Sequence, residues 1–455
     1  MLHELLAPDL RQTLDEGDDD ALREFCEALH PADTAAVLYD LDAATIWRVL
    51  KTCRLETRVE IFESLELVTQ FDLVHTLSRE ELSALVEAMS PDDRATLLNK
   101  LDDDTVEDLL PLVAQAERAD IRRMLLYPED SAGSIMTTDY ASISDDLTAA
   151  QALDHLRKQA PDKETIYYVY IVDEQRRLDG VITLRDLILA RPTRPVSELM
   201  TRDVVSVRVT EDQEDVAHEV GRYDFIAIPV VDEMHRLVGI ITHDDIHDIL
   251  REEADEDAQR IAAVEPLEDD YISAGVRELA LKRGRWLTFL AVVAIATGIL
   301  ARAFEDGAER FAWAVFFLPL VLAAGGNAGS QSATLTIRSL SHQAKGRAFP
   351  GLKLLGREVF VGLLLGGALG LIGAGSASLF FGLGPIESAV VGVTVLAVVN
   401  FGTVIGLLLP IGFDRLGVDP ALMSSPLITA IMDLMAVLLY YGVALWAIER
   451  LLPLA

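Results

Sequence analysis

Apolar residues follow three different patterns along the chain, and each pattern predicts a different kind of structure. Over the first 130 residues they recur at helical spacing in short blocks, as in "TAAVLYDLDAATIWRVLK". Between about 134 and 252, β-rich runs such as "YYVYIVDE" and "IAIPVVDE" alternate with short helical segments. From Trp286 onward the chain consists of long uncharged runs. The fold predicted is therefore multidomain: an all-α superhelical N domain, an α/β middle region and an α-helical polytopic membrane domain.

The N domain, predicted over residues 1–130, contains an internal repeat. Residues 29–51 resemble residues 89–111 at a fixed offset of 60. In each copy a proline, Pro31 or Pro91, suits the first turn of a helix. Between the copies, "SREELSALVEAM" places a glutamate three residues after a serine, which is the pattern of a capping box. These helix-start signals predict a superhelical stack of short helices.

The middle region carries a second repeat, in which Met136 corresponds to Met200. Each copy ends in a strand and a helix, "GVITLRDLIL" or "GIITHDDIHDIL". These segments resemble a tandem pair of CBS domains, predicted at 131–193 and 194–253. The resemblance implies an adenine-nucleotide site, with ATP as the ligand, at Tyr170, Thr183, Arg185 and Asp186. A hydroxyl and a carboxylate at this spacing hold a ribose in nucleotide-binding relatives, but the same pair also suits the cap of the following helix.

Five uncharged runs in the last third of the chain are long enough, or nearly so, to cross a bilayer, which needs roughly 20 residues. They are 286–301, 311–337, 359–386, 388–413 and 421–448, the last broken only by Asp433. We predict a connecting helix at 254–284, centred on "DDYISAGVRELALKRGRW", and a membrane domain at 285–455. Basic residues collect before the first run and around the second connection, which predicts a cytoplasmic N-terminus.

Asp433 is the feature of the membrane region that most needs an explanation. An aspartate at the centre of a membrane helix costs about 2.5 to 3.5 kcal/mol on insertion scales. Either neighbouring helices satisfy it with fixed hydrogen bonds, or it meets a permeating cation in a pore. Thr429 lies four residues earlier, hence on the same helix face. Both side chains offer oxygen, which suits a hard cation such as Mg²⁺ better than zinc or copper.

The second run adds Gly325, Gly326 and Asn327 at membrane depth. Glycines here are typical of close helix packing. They also allow a helix to loosen and expose carbonyl oxygens where these line a wet cavity, which would make all three residues ion ligands.

Charge divides the chain in the same place as hydropathy. From Lys282 onward there are 12 basic and 9 acidic residues, which leaves 27 of the 39 basic and 64 of the 73 acidic residues for the first 281 positions. The front part therefore carries a large negative charge, which repels nucleic acid and attracts divalent cations. Cys26 and Cys53 lack a CxxC pattern, so the sequence predicts neither a disulfide framework nor a zinc site.

Taken together, the whole chain resembles the MgtE family of Mg²⁺ channels. The motifs that carry the resemblance are "YPEDSAGSIMTT", "APDKETIYYVYIVDE", "AVEPLEDDYIS", "GGNAGSQSATLTIRSL" and "GVDPALMSSPLITAIMD". The resemblance implies a homodimeric, Mg²⁺-selective channel of the inner membrane rather than an enzyme, with Asp433 as the pore carboxylate. A broader carrier of Mn²⁺, Co²⁺ or Ni²⁺, a CBS-regulated transporter of another solute and a non-conducting membrane sensor remain as alternatives.

The resemblance also implies regulation by cytosolic Mg²⁺, which would bridge carboxylates of the N domain, the CBS pair and the connecting helix and so close the pore. The regulatory set this predicts is Asp245, Asp248, Glu252, Asp255, Glu256 and Asp257, facing Asp419. The alternative for each is a solvated acidic helix surface.

Overall fold

A computed structural model of the chain describes residues 2–101, 105–106, 111, 113, 115–267, 271, 274–304, 312–341, 350–422 and 425–450. The chain forms two compact units, Met1–Glu252 and Glu253–Ala455. The first contains the N domain and the CBS pair, and the second contains the membrane helices.

The N domain is a stack of short helices, as the sequence predicts. Pro31 and Pro91 each occupy the first turn of a helix. The capping box is present, because the Ser78 hydroxyl accepts from the Glu81 backbone N–H while the Glu81 carboxylate accepts from Ser78. The apolar faces meet in one continuous core. In order the helices are α1 (Leu2–Glu16), α2 (Asp19–Ala28), α3 (Pro31–Leu38), α4 (Ala43–Thr52), α5 (Leu55–Glu63), α6 (Leu67–Thr76), α7 (Arg79–Ala88), α8 (Pro91–Asn99) and α9 (Gln115–Met124).

The middle region forms two three-stranded sheets of the same topology. In each sheet the first strand is parallel to the second, and the second is antiparallel to the third. The first sheet and its helices are β1 (Tyr140–Ile143), α10 (Ala149–Gln159), β2 (Thr165–Val172), β3 (Leu178–Thr183) and α11 (Leu184–Leu189). The second set is β4 (Val207–Arg208), α12 (Gln213–Tyr223), β5 (Ala227–Val231), β6 (Leu237–Thr242) and α13 (His243–Ile261).

The two CBS modules exchange their leading segments. Met136 packs over Gly239 of the second sheet, where a Cβ would lie 2.6 Å from the Met136 sulfur. Met200 packs over Gly180 of the first sheet in the same way, with a corresponding distance of 2.8 Å. The methionine repeat seen in the sequence is therefore a packing repeat, and each methionine serves the module that it does not precede.

Long apolar helices make up the second unit, and among its described residues five helices are long and apolar enough to cross a membrane. At 1.5 Å per residue, each exceeds the roughly 30 Å of a hydrocarbon core. Those helices are α14 (Val276–Arg302), α15 (Ala314–Ser341), α16 (Gly351–Phe381), α17 (Pro385–Arg415) and α18 (Ser425–Arg450).

The predicted connecting helix differs from the observed chain. Part of "DDYISAGVRELALKRGRW" lies outside the described residues, but Gly275 is extended (φ −66°, ψ 141°) and α14 begins only at Val276. The basic end of the motif is thus the first part of a membrane-length helix. Lys282 Nζ donates to the Pro266 carbonyl at 2.6 Å and Arg285 pairs with Glu265 at 2.7 Å, which holds the preceding segment alongside α14.

Glycines allow α15, α16 and α17 to approach at backbone distance. A Cβ on Gly370 of α16 would lie 2.5 Å from the Gly392 carbonyl oxygen of α17. A Cβ on Gly406 of α17 would lie 2.2 Å from the Gly329 carbonyl oxygen of α15. Neither oxygen can move without bending its helix, so these contacts fix the three helices relative to one another.

Gly406→Ala is therefore expected to destabilise the membrane domain by about 1 to 3 kcal/mol, the usual cost of overpacking. The measurement is the thermal unfolding midpoint of the purified protein in detergent. Gly412→Ala, on the same helix but with open space around its Cβ position, is the matched control. It should be neutral or slightly stabilising, because alanine favours a helix over glycine by roughly 0.5 to 1 kcal/mol. Equal midpoints for the two variants would contradict the packing.

Candidate functional site

Asp433 lies within the apolar length of α18. It is eight residues after Ser425, the first residue of the helix, which places it about 12 Å along the axis. Its side chain is half-buried. No hydrogen bond or ion pair to Asp433 is present among the residues that the structure describes. The explanation by fixed hydrogen bonds to neighbouring helices therefore finds no support in this part of the chain.

Close contact between α15 and α18 positions the surroundings of Asp433. A Cβ on Gly326 would lie 2.8 Å from Thr429 Cγ2, and one on Gly325 would lie 3.4 Å from Met432 Cε. The earlier residue of α15, Gly325, thus contacts the later residue of α18, Met432, so the two helices are antiparallel. Asn327 and Asp433 consequently lie within about one helical turn of the same depth.

The loosened helix that the glycines allowed in principle is not observed. Helix α15 is continuous from Ala314 to Ser341, so the carbonyls of Gly325 and Gly326 stay within it. The two glycines instead provide room for Val398, Thr429 and Met432 of the adjacent helices. The two glycines thus provide the close helix packing that one interpretation predicts, and the binding of an ion at this level of α15 stays a prediction.

Polar side chains on α15 nevertheless face outward at this depth. Asn327 and Gln331, four residues apart and thus on one face, are both exposed within the membrane-length helix. Thr429 uses its hydroxyl to donate to the Ser425 carbonyl at 3.0 Å, which leaves the hydroxyl oxygen free to accept or ligate. An amide, a hydroxyl and a carboxylate are therefore present at a similar depth in the membrane region.

A second acidic site lies in the first unit, between the N domain and the CBS pair. Glu63, at the end of α5, accepts from the Ser90 backbone N–H at 2.8 Å. Burial, reinforced by the nearby Asp92 and Glu164 carboxylates, raises the pKa of Glu63 to about 7. One oxygen of Asp92 is buried without a hydrogen-bond partner, and burial likewise raises the pKa of Asp92.

Asp245 lies on the CBS side of this acidic site. Burial and the nearby Asp92 raise the pKa of Asp245 to about 8, although Thr242 donates to its carboxylate at 2.7 Å. In addition to burial, the negative charge of Asp244 raises the pKa of Asp92 and of Glu164. We define the acidic cluster as Glu63, Asp92, Asp93, Glu164, Asp244 and Asp245. Of these, only Asp245 is predicted from the sequence. Asp92 and Asp93 follow the repeat proline, which was the one available signal for the N-domain members.

The remaining predicted regulatory carboxylates are spread along α13. Asp245 and Asp257 are 12 residues apart on this helix, about 18 Å along its axis, so the predicted set would need more than one ion, and its role in regulation stays a prediction. Asp248 and Asp255 are exposed, as a solvated helix surface requires. Glu252 is exposed as well, and it lies near Lys100.

Asp419 is paired with a basic residue rather than with the acidic ones that were predicted to face it. Arg260 Nη1 donates to Asp419 Oδ2 at 2.5 Å, and the same guanidinium also pairs with Glu256. The cation that joins these two carboxylates in this structure is thus Arg260. No group of three or more His, Cys, Asp or Glu side chains within the described ranges is arranged to ligate a metal ion directly.

The predicted nucleotide residues are divided between surface and core. Thr183 Oγ1 donates to Asp186 Oδ2 at 2.7 Å and accepts from the Asp186 backbone N–H at 3.1 Å, so the pair caps α11. Asp186 and Arg185 are exposed. Tyr170 is only 1% exposed and packs edge-on against Tyr140 between the two modules, which removes its ring from any surface pocket.

Family comparisons match three parts of the chain. A divalent cation transporter domain matches residues 318–443, an intracellular N domain matches 29–130, and CBS domains match 132–192 and 196–252. The magnesium transporter MgtE of Thermus thermophilus is 39% identical over 98% of this chain and 100% of its own length. That of Bacillus subtilis is 32% identical over 94% of each chain.

A solved structure extends the comparison to the fold of the first unit. The cytosolic domain of the Mg²⁺ channel MgtE in complex with ATP is 41% identical and covers 54% of this chain and 100% of its own, with a TM-score of 0.52. The order of the domains, the five membrane-length helices and the near-complete alignment with the Thermus thermophilus protein lead to one conclusion: the chain belongs to the MgtE family of divalent cation transporters.

Proposed function

We propose that this protein imports Mg²⁺ across the inner membrane, down its electrochemical gradient, with Asp433 as the carboxylate that the ion meets. The observation that carries the proposal is the unpartnered, half-buried carboxylate within α18 among the described residues. Such a group is costly in a membrane unless a cation or water reaches it. The gradient can supply the drive, because a divalent ion gains roughly 4.6 kcal/mol per 100 mV of inside-negative potential.

A homodimer would complete the pathway. Mg²⁺ releases its waters reluctantly and is usually held by one or two carboxylates plus retained waters. Two copies related by a two-fold axis would bring two Asp433 side chains to that axis, with Asn327 and Gln331 beside them as partners for the retained waters. The exposure of these polar groups on a single chain supports this arrangement.

Voltage-driven Mg²⁺ uptake into proteoliposomes tests the proposal against its alternatives. We expect Mg²⁺ uptake that Mn²⁺, Co²⁺ and Ni²⁺ inhibit only weakly. Equal uptake of all four ions would favour the broader carrier. Absence of uptake of any of them, with protein shown to be inserted, would favour the non-conducting sensor or a transporter of another solute.

The acidic cluster supports gating by cytosolic Mg²⁺. At low Mg²⁺ its like charges repel and favour separation of the N domain from the CBS pair. At high Mg²⁺ the ion compensates those charges and stabilises the compact arrangement. Because no directly ligating group of three side chains occurs among the described residues, we propose that hydrated Mg²⁺ bridges the cluster through its waters.

Protons should compete with Mg²⁺ at this cluster. Glu63 and Asp245 have folded pKa values of about 7 and 8, against ordinary values of 4.5 and 3.8. The folded state thus binds more protons than the unfolded state between about pH 4 and 8, so without Mg²⁺ its stability increases as pH falls through this window. We expect the Mg²⁺ concentration for half-maximal protection from protease to rise several-fold from pH 8 to pH 6. A pH-independent midpoint, after correction for the activity of the protease on an unfolded substrate, would contradict this.

ATP at the CBS pair is the second ligand that we propose. The support is the similarity to a cytosolic domain solved with ATP, together with the half-buried hydroxyl of Thr183 and the exposed carboxylate of Asp186. The ribose hydroxyls would replace the hydrogen bond between these two side chains. Asp186→Ala should weaken ATP binding at least about tenfold by titration calorimetry, since hydrogen bonds to charged groups contribute about 1.5 to 3 kcal/mol. Asp179→Ala, an exposed carboxylate on β3, is the control and should bind like the native chain.

A further inference from the structure

Glu358 of α16 is an acidic residue of the membrane helices that the proposed function does not use. It directly precedes the uncharged run 359–386 and is half-buried. No ion pair to Glu358 occurs among the residues that the structure describes. An ionisable group in a membrane segment is costly without a counter-charge, so its hydrogen-bond partners indicate its role.

Glu358 lies on the face of α16 that packs against α17. It is four residues before Gly362, and therefore on the same side of the helix. Gly362 is buried, and a Cβ on it would lie 2.6 Å from Thr403 Oγ1 and 2.7 Å from Asn400 Nδ2 of α17. The carboxylate is thus directed into the junction between the helices.

A buried serine of α15 is the partner of this carboxylate. Ser332 Oγ lies 3.1 Å from Glu358 Oε2 and 2.8 Å from the Thr403 carbonyl oxygen. The serine hydroxyl has one hydrogen, which it shares between these two acceptors. Only 4% of Ser332 and 3% of Thr403 are exposed. One serine side chain therefore connects α15 to both α16 and α17.

Two further hydrogen bonds join α17 to the same turn of α16. Thr403 Oγ1 donates to the Glu358 carbonyl oxygen at 3.2 Å. Asn400 Nδ2 donates to the Val359 carbonyl oxygen at 2.8 Å. Helices α16 and α17 thus form a fixed pair at this level, and the contact of Glu358 with Ser332 ties α15 to that pair. Because a hydrogen bond is directional, this contact restricts the rotation of α15 about its own axis.

The rotation of α15 matters because its outward face belongs to the proposed pathway. Gln331 directly precedes Ser332, and Asn327 lies about one turn before Gln331 on the same exposed face. These side chains and Ser332 belong to one continuous helix. A rotation that separates Ser332 from Glu358 therefore turns both amides by the same angle.

We propose that Glu358 is a positioning residue for Mg²⁺ transport. Through Ser332 it holds α15 in the rotation at which Asn327 and Gln331 meet the waters that the ion retains. Glu358 acts by its hydrogen bond and does not contact the ion. This inference rests on the proposed function, because that function assigns the two amides to the pathway.

Voltage-driven Mg²⁺ uptake by the full chain in proteoliposomes, measured over a range of Mg²⁺ concentrations, tests the proposal. Glu358→Ala should raise the Mg²⁺ concentration for half-maximal uptake at least about fivefold, which is the scale of one hydrogen bond. The maximal rate per inserted protein should change much less. A loss of stability alone would do the opposite, because fewer folded molecules lower the maximal rate and leave the half-maximal concentration unchanged.

Glu358→Gln is the conservative variant and should take up Mg²⁺ like the native chain. Its amide N–H can donate to Ser332 Oγ while the serine hydroxyl donates to the Thr403 carbonyl oxygen. This rescue separates a hydrogen-bonding role from a role of the charge. An equal rise of the half-maximal concentration in Glu358→Gln and Glu358→Ala would overturn the proposal.

Ser332→Ala removes the other half of the contact and is the smaller change to the fold. It should raise the half-maximal concentration by the same factor as Glu358→Ala. The double variant should have no larger effect than either single one, as expected for two residues of one interaction. Ser376→Ala is the matched control, since the Ser376 hydroxyl donates within α16 to the Gly373 carbonyl oxygen at 2.8 Å. It should behave like the native chain.

The possible failures of this experiment are distinguishable. Native half-maximal concentrations in Glu358→Ala and Ser332→Ala, in a series whose native chain takes up Mg²⁺, would overturn this inference alone. Multiplied effects in the double variant would overturn the action of Glu358 through Ser332. Absence of Mg²⁺ uptake by the native chain would overturn the proposed function and this inference with it.

Discussion

Asp433→Asn is expected to lower voltage-driven Mg²⁺ uptake at least about a hundredfold. The exchange keeps size and shape but removes one charge, and a pair of unit charges about 4 Å apart interacts by about 4 kcal/mol at an effective dielectric constant of 20. A divalent ion that passes this position loses that attraction without any compensating ligand, since no charged partner to Asp433 occurs in the described part of the chain. A Mg²⁺-sensitive dye enclosed in the proteoliposomes reports the rate of Mg²⁺ uptake.

Asp414→Asn provides the matched control for this experiment. Asp414 is exposed near the end of α17, so its replacement changes the charge of the membrane domain by the same amount away from the proposed pathway. Its uptake should remain within about twofold of native. Comparable losses in both variants would indicate a general charge effect, and native uptake in Asp433→Asn would remove the pore role of this residue.

The double substitution Asp92→Asn and Asp245→Asn is expected to abolish most of the response of the N-terminal unit to Mg²⁺. These two carboxylates lie on opposite sides of the acidic cluster, one on α8 and one on α13, and each raises the repulsion within it. Their neutralisation removes two of the six carboxylates of the cluster, one on each side, and with them much of the repulsion and a pair of groups that a hydrated ion would bridge. The variant without Mg²⁺ should therefore resist protease about as well as the native protein with Mg²⁺.

The measurement is the ratio of cleavage rates of the full chain without and with millimolar Mg²⁺. That ratio should fall at least about tenfold in the double variant, equivalent to roughly 1.4 kcal/mol of lost coupling. Asp15→Asn combined with Glu24→Gln removes two exposed carboxylates from α1 and α2 and should keep the native ratio. A native Mg²⁺ response in the cluster variant would show that other groups carry the gating.

The general fold was predictable because its signals are periodic. The repeat prolines and the capping box of Ser78 identified the helices of the N domain, and length with hydropathy identified the membrane helices. The exchange of segments between the CBS modules was not predictable, because a repeat shows which residues correspond but not which copy they contact. Met136 and Met200 illustrate this limit, since each packs on the glycine of the other copy.

The site was predictable only where one residue is chemically unusual in its own segment. Asp433 stands out because its neighbours are apolar, so its position alone identified it. The acidic cluster did not stand out, because Glu63, Asp92 and Glu164 are three acids among many and become special only when the fold brings them near one another. Asp419 illustrates the same limit: its partner Arg260 lies 159 residues away in sequence, so the sequence suggests a metal ion where the fold supplies a guanidinium.

Access of water to position 433 tests the central claim most directly. In a Cys26→Ser and Cys53→Ser background, Asp433→Cys should react with a water-soluble, positively charged thiol reagent when Mg²⁺ is absent, and Mg²⁺ should slow that reaction. Asp414→Cys in the same background reports that the reagent is active and should be insensitive to Mg²⁺. If Asp433→Cys stays unmodified while Asp414→Cys reacts fully, no aqueous pathway reaches this residue and the proposed route for Mg²⁺ is wrong.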